Sequence, residues 1–546
     1  MESQTGSSLY CVPKDSPFFI STLNPAVSHA KCFRFQQGLF TDVLENHPTS
    51  NENEILLLNG YVLPGIIESH GHILQYGEML ESVSLFGTRS IDDVRTRIKD
   101  FLKTHKGEGY GTREKWIRGV GWDQTHFGGV MPTAKELGQD PTLTNLYIML
   151  DRVDVHCVWT SQKVLDLLPD PLPDAPPGGV VVTDPGLGVF CDNAMDSIIF
   201  PYAPKPNVEQ KSRWVETAMS ELNKVGIVGV GDAGMRPDDI AILELMAENQ
   251  QLTIRINVMV ECKKRNTFCP KELQGMKLLN APNGLRNQML LLHGVKLFAD
   301  GALGSWGAAM IEPYSDKPDI SGTMLINETA LTTVVSDHPD DQARIARMGI
   351  IPSIQPTHAT SDMAYALSRL GPERLGHSAY RMASYFPTHK DPNGYPGPVL
   401  GSDFPVEPPN PFHGMYAAVA RLDPATGTSP SGEGGWYPQE AITVEQALLG
   451  FTRNAAYGWF RENVTGAIEV GKWADFIVVD KDVWKDETGE ALRDVHVTET
   501  WVGGRKVYTR REAKGENSPQ QTLIMALQKL LSWATSYTMR DADQEL

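Results

Sequence analysis

The chain has 546 residues, a formal net charge of −18, 41% hydrophobic and 21% charged residues. This is the composition of a globular protein with room for one large core and a smaller domain, and it excludes long disorder. The acidic balance, with no Lys/Arg-rich run to follow a phosphate backbone, excludes nucleic acid as a partner.

Residues 1–60 read as short strands and turns, with apolar pieces at Phe18 to Ile20 and Ile55 to Leu58. Met1 to Asp15 lacks the basic-then-apolar layout of a signal peptide, and no stretch reaches the length of a membrane span. A cytoplasmic protein with no membrane partner is therefore expected. The six cysteines, Cys11, Cys32, Cys157, Cys191, Cys262 and Cys269, form no C-x-x-C pair and are read as reduced thiols. Asn327-Glu328-Thr329 and Asn463-Val464-Thr465 match the glycosylation sequon and, without a secretory signal, are read as chance.

Tyr61 to Tyr76, Y-V-L-P-G-I-I-E-S-H-G-H-I-L-Q-Y, is the most informative stretch. An apolar run with Pro64-Gly65 inside it ends in Glu68-Ser69-His70-Gly71-His72, which reads as a buried strand carrying two imidazoles at its C-terminal end. Side chains two apart on a strand point the same way, so His70 and His72 can grip one metal ion, with Gly71 leaving room. Histidines that merely pack in the core are the competing reading.

Residues 77–225 form a long excursion before the next strand. Further strands are expected at Leu63 to Glu68, Gly226 to Asp232, Thr253 to Glu261, Gly294 to Asp300, Ile350 to Gln355 and Val399 to Asp403, alternating with helix-like segments. That alternation predicts an α/β barrel, whose chemistry sits at the C-terminal strand ends. Lys296, on one such strand, must be paired, shifted or modified, because a buried lone ammonium is costly. An ion pair with Asp300 or Asp232 is its structural alternative. Asp403, at the end of the last strand, is placed to take a proton from water and return it to a leaving amine, an N-cap role being the alternative.

The run Gly466 to Asp480, then His496 to Val502 and Arg505 to Tyr508, supplies strands that can pair with the N-terminal ones. Ser518-Pro519 opens an amphipathic helix with Leu523, Leu527, Leu530 and Leu531 on one side, expected to dock on the barrel or on a second copy in a homodimer. The domain reading is 1–60 and 461–510 for the small β domain, 61–460 for the barrel, and 511–546 for a linker and helix.

Several motifs together resemble the YtcJ-like branch of the amidohydrolase superfamily. They are the proline-glycine strand ending in His70-Gly71-His72, Trp116 to Asp123, Leu146 to His156, Gly188 to Asp196, Gly294 to Ser305, Gln355 to Met363, Gly401 to Pro408, and Gly466 to Asp480. Glu68 departs from the aspartate more usual there. The resemblance implies a TIM-like (β/α) barrel with a composite β-sandwich from both termini, and a divalent metal, zinc by expectation. It implies metal contact by His70, His72, Lys296 and Asp403, with Lys296 carboxylated as a bridging ligand. It also places Trp122, Asp123, Asp154, His156 and His358 around a pocket for a small amide-like substrate.

The superfamily's two further metal histidines, from its fifth and sixth strands, have no counterpart here. Two strand-helix units need roughly 60 residues, and fewer than 30 separate the loop Ser305 to Leu325 from Ile350. The sole histidine there, His338, sits beside Pro339 in a polar context unsuited to a ligand. The barrel is thus expected to be incomplete. One expected function is metal-dependent hydrolysis of a non-peptide C–N bond by activated water, with a reduced ligand set. The other is a catalytically impaired or non-catalytic member, an incomplete chain that binds a small molecule or a protein.

Overall fold

The computed structural model describes residues 8–49, 55–325 and 349–511, apart from 154, 177–178, 265, 268, 281–287, 305, 378, 388–394, 433 and 486. The C-terminal helix expected after Ser518, the sequon at Asn327, His338 and Asp154 lie outside the described residues. Two compact units account for the rest: residues 1–74 with 215–512, and residues 75–214. No described helix is long and apolar enough to cross a membrane.

Six of the first unit's described strands form two all-parallel sheets. Four form one sheet in the order β4-β3-β2-β1: β1 (Ile66–Gly71), β2 (Ile227–Met235), β3 (Arg255–Val260) and β4 (Leu290–Val295). These runs are rich in Val, Ile and Leu, and every residue of β2 is buried, as in a sheet covered on both faces. β5 (Ser353–Ile354) and β6 (Val399–Leu400) form a parallel pair. Past β6, the Asp403 amide donates to the His70 carbonyl and the His72 amide to the Phe404 carbonyl, both at 2.8 Å. The end of β1 therefore lies beside the turn that follows β6.

Two expectations change at this level. The single strand Leu63 to Glu68 is two: Tyr61–Pro64 belongs to another sheet, and β1 begins after Gly65, where a Cβ would lie 2.5 Å from a Val228 methyl. The strand expected at Gly294 to Asp300 runs instead from Leu290 to Val295, following the apolar Leu290-Leu291-Leu292. Lys296 is the first residue beyond its end, its amide closing the ladder on the Val260 carbonyl at 2.8 Å. Between β4 and β5, described residues 296–325 hold one isolated bridge, Asp300 to Met324, and no strand. Among the described residues β4 pairs only with β3, and β5 only with β6.

Strands from both ends of the chain meet in a six-stranded sheet, where Phe476–Val479 pairs with Tyr61–Pro64, which pairs with Ile20–Asn24. A four-stranded sheet built on Cys32–Gln36 shares its core, in which Phe33, Phe40, Val62, Phe476 and Trp501 are buried. Asp475 ties this assembly to β3. Its carboxylate takes two hydrogen bonds from Arg255, Nε at 2.7 Å and Nη2 at 3.0 Å, plus one from the Gly503 amide at 2.6 Å. Both side chains are almost fully buried, and the guanidinium lies 3.8 Å from the Trp473 ring centroid.

The second unit is a mixed six-stranded sheet, from Val83–Ser84 at one edge through Ile117–Trp122, Ile148–Arg152, Cys157–Thr160 and Val189–Asp192 to Gly179–Val181. Its core buries Trp122, Trp159, Ile148 and Leu150. Helix Ile91–Thr104 opens at Ser90, whose hydroxyl accepts from the Asp93 amide at 3.1 Å.

The expectation of reduced thiols is corrected. All six cysteines are paired, as Cys11–Cys32, Cys157–Cys191 and Cys262–Cys269. The first two are directly opposed residues on antiparallel strands, 21 and 34 positions apart in sequence. Pairing of that kind comes from strand register, which cysteine spacing does not reveal.

The Arg255–Asp475 pair yields a prediction. Arg255→Met strands a buried carboxylate and should cost about 3–5 kcal/mol. Adding Asp475→Asn, which keeps an acceptor for Gly503, should recover more than half of that loss in urea denaturation. Equal stability of the single and double variants would refute the coupling.

Candidate metal centre

β1 ends in His70 and Gly71, and His72 follows. Their imidazole centroids are 5.9 Å apart with planes at 81°. Gly71 has no side chain because the Phe404 ring occupies its place: a Cβ there would sit 2.4 Å from that ring. The room that Gly71 provides thus serves the residue after Asp403, which draws the two strand ends together. Asp403 itself has φ 58°, in the left-handed region that aspartate tolerates better than most residues. Its Oδ1 lies 3.1 Å from His72 Nε2 and 3.6 Å from His70 Nε2. One donor atom from each of His70, His72 and Asp403 falls within 4.8 Å of the others.

The protonation states suit a cation. Burial pushes His70 down to about 4, leaving a neutral imidazole. Burial works against the Asp403 carboxylate, but His72, His70 and His358 outweigh it and hold its pKa below the usual value. A neutral imidazole and an ionised carboxylate beside a second histidine form a nitrogen and oxygen donor set suited to zinc or a similar divalent ion. His72 Nδ1 is buried and bonded by no described residue. These residues fit the expected metal.

Lys296 Nζ is 3.4 Å from His70 Nε2. Burial lowers its pKa, opposed by Asp403, Glu261 and Asp232. The alternative of an ion pair with Asp300 or Asp232 does not form among the described residues. An Asp300 oxygen accepts instead from the Ala309 amide at 2.8 Å, and one of Asp232 from the Ile73 amide at 3.0 Å.

Beneath the donors sits Glu68, 1% exposed. Oε1 accepts from the His70 amide at 3.1 Å and the Ser402 amide at 2.8 Å, and Oε2 pairs with the Ser402 hydroxyl at 2.9 Å. Burial outweighs these bonds and raises its pKa to about 8, Asp403 adding to the rise. At Gly401 a Cβ would lie 2.2 Å from Glu68 Oε1, so only glycine leaves space for the carboxyl.

His358, on helix Pro356–Asp362, acts electrostatically on both Asp403 and His70, and its Nε2 is buried without a described partner. A cavity of about 330 Å³ reaches His70, lined also by Ser69, Gly231, Asn257, Ser353 and Trp459. Ser69 Oγ and Trp459 Nε1 are buried and bonded by no described residue.

The other expected pocket residues that the structure describes belong to the second unit. Trp122 is fully buried in the core of the second unit, its Nε1 donating to the Leu150 carbonyl at 2.8 Å, so substrate contact by its side chain is corrected to a packing role. Asp123 caps the turn Gln124–Phe127 through the Thr125 amide at 2.9 Å and lies 3.3 Å from Arg152 Nη2. His156 Nδ1 bonds Asp192 Oδ1 at 2.8 Å. Asp232 was absent from the expected site residues. It is 1% exposed, burial raises its pKa, and His72 is the largest influence opposing that rise. The signal for it was Gly231-Asp232-Ala233-Gly234, a polar residue among small ones at a strand end.

The chain is similar to known proteins. The sequence model of the amidohydrolase family matches residues 54–338 and 328–508. The chain is 25% identical over 516 residues to Protein LONG AFTER FAR-RED 3 of Arabidopsis thaliana, covering 83% of each chain. It is 23% identical over 519 residues to the putative amidohydrolase YtcJ of Bacillus subtilis, covering 84% of this chain and 92% of that one. Among solved structures, an uncharacterized metal-dependent hydrolase of Pyrococcus horikoshii superposes with a TM-score of 0.68 at 23% identity, over 89% of this chain and all of that one.

Glu68 generates the test of this architecture. Glu68→Ala leaves two buried amides unpaired and should cost about 2–4 kcal/mol, while Glu68→Gln, which resembles the neutral acid, should cost under about 1 kcal/mol. The sign with pH follows from a folded pKa of about 8 against roughly 4.3 unfolded. The stability tied to Glu68 is complete below the unfolded value and is lost as pH rises through the folded one. Denaturation between pH 4 and 9 should therefore show a decline that Glu68→Gln flattens.

Proposed function

The chain belongs to the amidohydrolase family, and on that premise we propose that it is a metal-dependent hydrolase cleaving a non-peptide carbon–nitrogen bond in a small amide-like molecule. The convergence of His70, His72 and Asp403 donors within 4.8 Å carries this reading. We further propose that the six parallel strands are the staves of an incomplete (β/α) barrel, flanked by a composite β-sandwich. His70, His72, Asp403 and Lys296 would hold the cation, zinc by its donor chemistry. A bound cation would polarise the scissile carbonyl and make water a stronger nucleophile.

The chain's own groups supply the proton traffic. Asp403, ionised and beside both histidines, accepts the proton from the attacking water and returns it to the departing amine. Lys296, its pKa lowered by burial, more readily presents the neutral amine that adds to carbon dioxide, forming an N–C bond and losing a proton. The resulting carbamate would be an anionic donor next to His70. His358, with its buried Nε2, is a described residue placed to contact the substrate.

One observation favours a second reading, a catalytically impaired binder. Described residues 296–325 hold no strand, and the family match breaks into two stretches that overlap at 328–338. Elemental analysis and hydrolysis assays on the purified 546-residue protein with simple N-acyl amides separate the two. His70→Ala/His72→Ala should abolish bound metal, and unchanged stoichiometry would sink the site. Lys296→Ala should lose metal and regain part of it with a short-chain carboxylic acid. Metal-loaded wild type whose amide hydrolysis does not exceed buffer would decide for the binder.

A further inference from the structure

We infer that Asn463 is an N-glycan acceptor and that the chain matures in an oxidising secretory compartment. Two independent features support this. The first is the set of three disulfides that consumes every cysteine. Disulfides persist in oxidising compartments and are rare where thiols are kept reduced. Two of these bridges join opposed residues on paired strands, in or beside buried cores, so they belong to the folded structure and outweigh the reading of residues 1–15.

The second is the sequon itself. Asn463-Val464-Thr465 lies in the turn before Gly466, and Asn463 is exposed. The backbone around it is pinned. The Val464 and Thr465 amides donate to the Arg461 carbonyl at 2.9 and 3.1 Å, and the Trp473 amide donates to the Val464 carbonyl at 2.8 Å. Lys472 Nζ reaches the Glu462 carbonyl at 2.7 Å. An acceptor asparagine at the tip of a fixed surface turn can carry a bulky, hydrated sugar without disturbing the fold. The co-reactant is an oligosaccharide joined through its C1 to a lipid diphosphate. Asn463 Nδ2 forms the N–C1 bond, the C1–O bond to the diphosphate breaks, and one Nδ2 proton passes to the transferase base.

The test uses the full chain purified from the cells that make it, by peptide mapping without reduction. The peptide containing Asn463 should carry hexose and N-acetylhexosamine mass, and a peptide N-glycosidase should remove it, leaving a carboxylate in place of the amide. Asn463→Gln should lose the added mass without a change in melting temperature, and Thr465→Ser should retain it. Recovery of the peptide only in unmodified form overturns the proposal, as does finding the six cysteines as free thiols. Neither outcome bears on the hydrolase reading, which is judged by metal content and activity.

Discussion

The buried carboxyl of Glu68 holds the site together. Its oxygens join the His70 amide on β1 to the amide and hydroxyl of Ser402 after β6, so one side chain sets the register of the two segments that present His70, His72 and Asp403. The neighbouring backbone bonds, Asp403 to His70 and His72 to Phe404, continue the same seam. A polar group taken out of water persists only when its bonding is complete. Here completion demands glycine at 401 and serine at 402. An aspartate at 68 would be one methylene shorter and could not span the same atoms without moving the strands closer.

The cluster of His70, His72 and Asp403 was legible because its patterns are local. Two histidines at strand spacing after an apolar run, and an aspartate closing another, are patterns of chain direction and period that short-range sequence preserves. Glu68 was visible only as a departure from a familiar pattern. Its role depends on Ser402, 334 positions away, and no periodicity carries that information. Trp122 misled for a related reason. A tryptophan in a glycine-rich motif looks like a pocket residue, but its ring fills the core of its own sheet and its N–H is spent on Leu150. The cysteines failed in the same way, since their pairing is a consequence of strand register.

The Gly466 to Asp480 motif, expected to supply strands to the terminal sheet, also carries a buried ion pair that serves the architecture. Asp475, a carboxylate in a recognisable run, is placed to neutralise Arg255 on β3 and to accept from Gly503. The pair is buried, so its Coulomb attraction is opposed by the cost of removing both ions from water. Its bidentate geometry and the Trp473 ring make it specific: only one relative placement of β3 and the terminal strands satisfies every bond.

On the proposed reading, holding a cation and orienting a substrate would be separable tasks in this chain. The candidate donors come from three places: His70 and His72 from the end of β1, Asp403 from the turn after β6, and Lys296 from just beyond β4. The first three are fixed by the Glu68 seam and need nothing from the segment between β4 and β5. Orienting a carbonyl against water needs groups on the facing side as well, because the rate advantage of a positioned reaction falls steeply with misplacement. Of the segment between β4 and β5, described residues 296–325 hold no strand. On the proposed reading, the Glu68 seam would fix three of the donors, while Lys296, just beyond β4, would depend on the segment that joins β4 to β5.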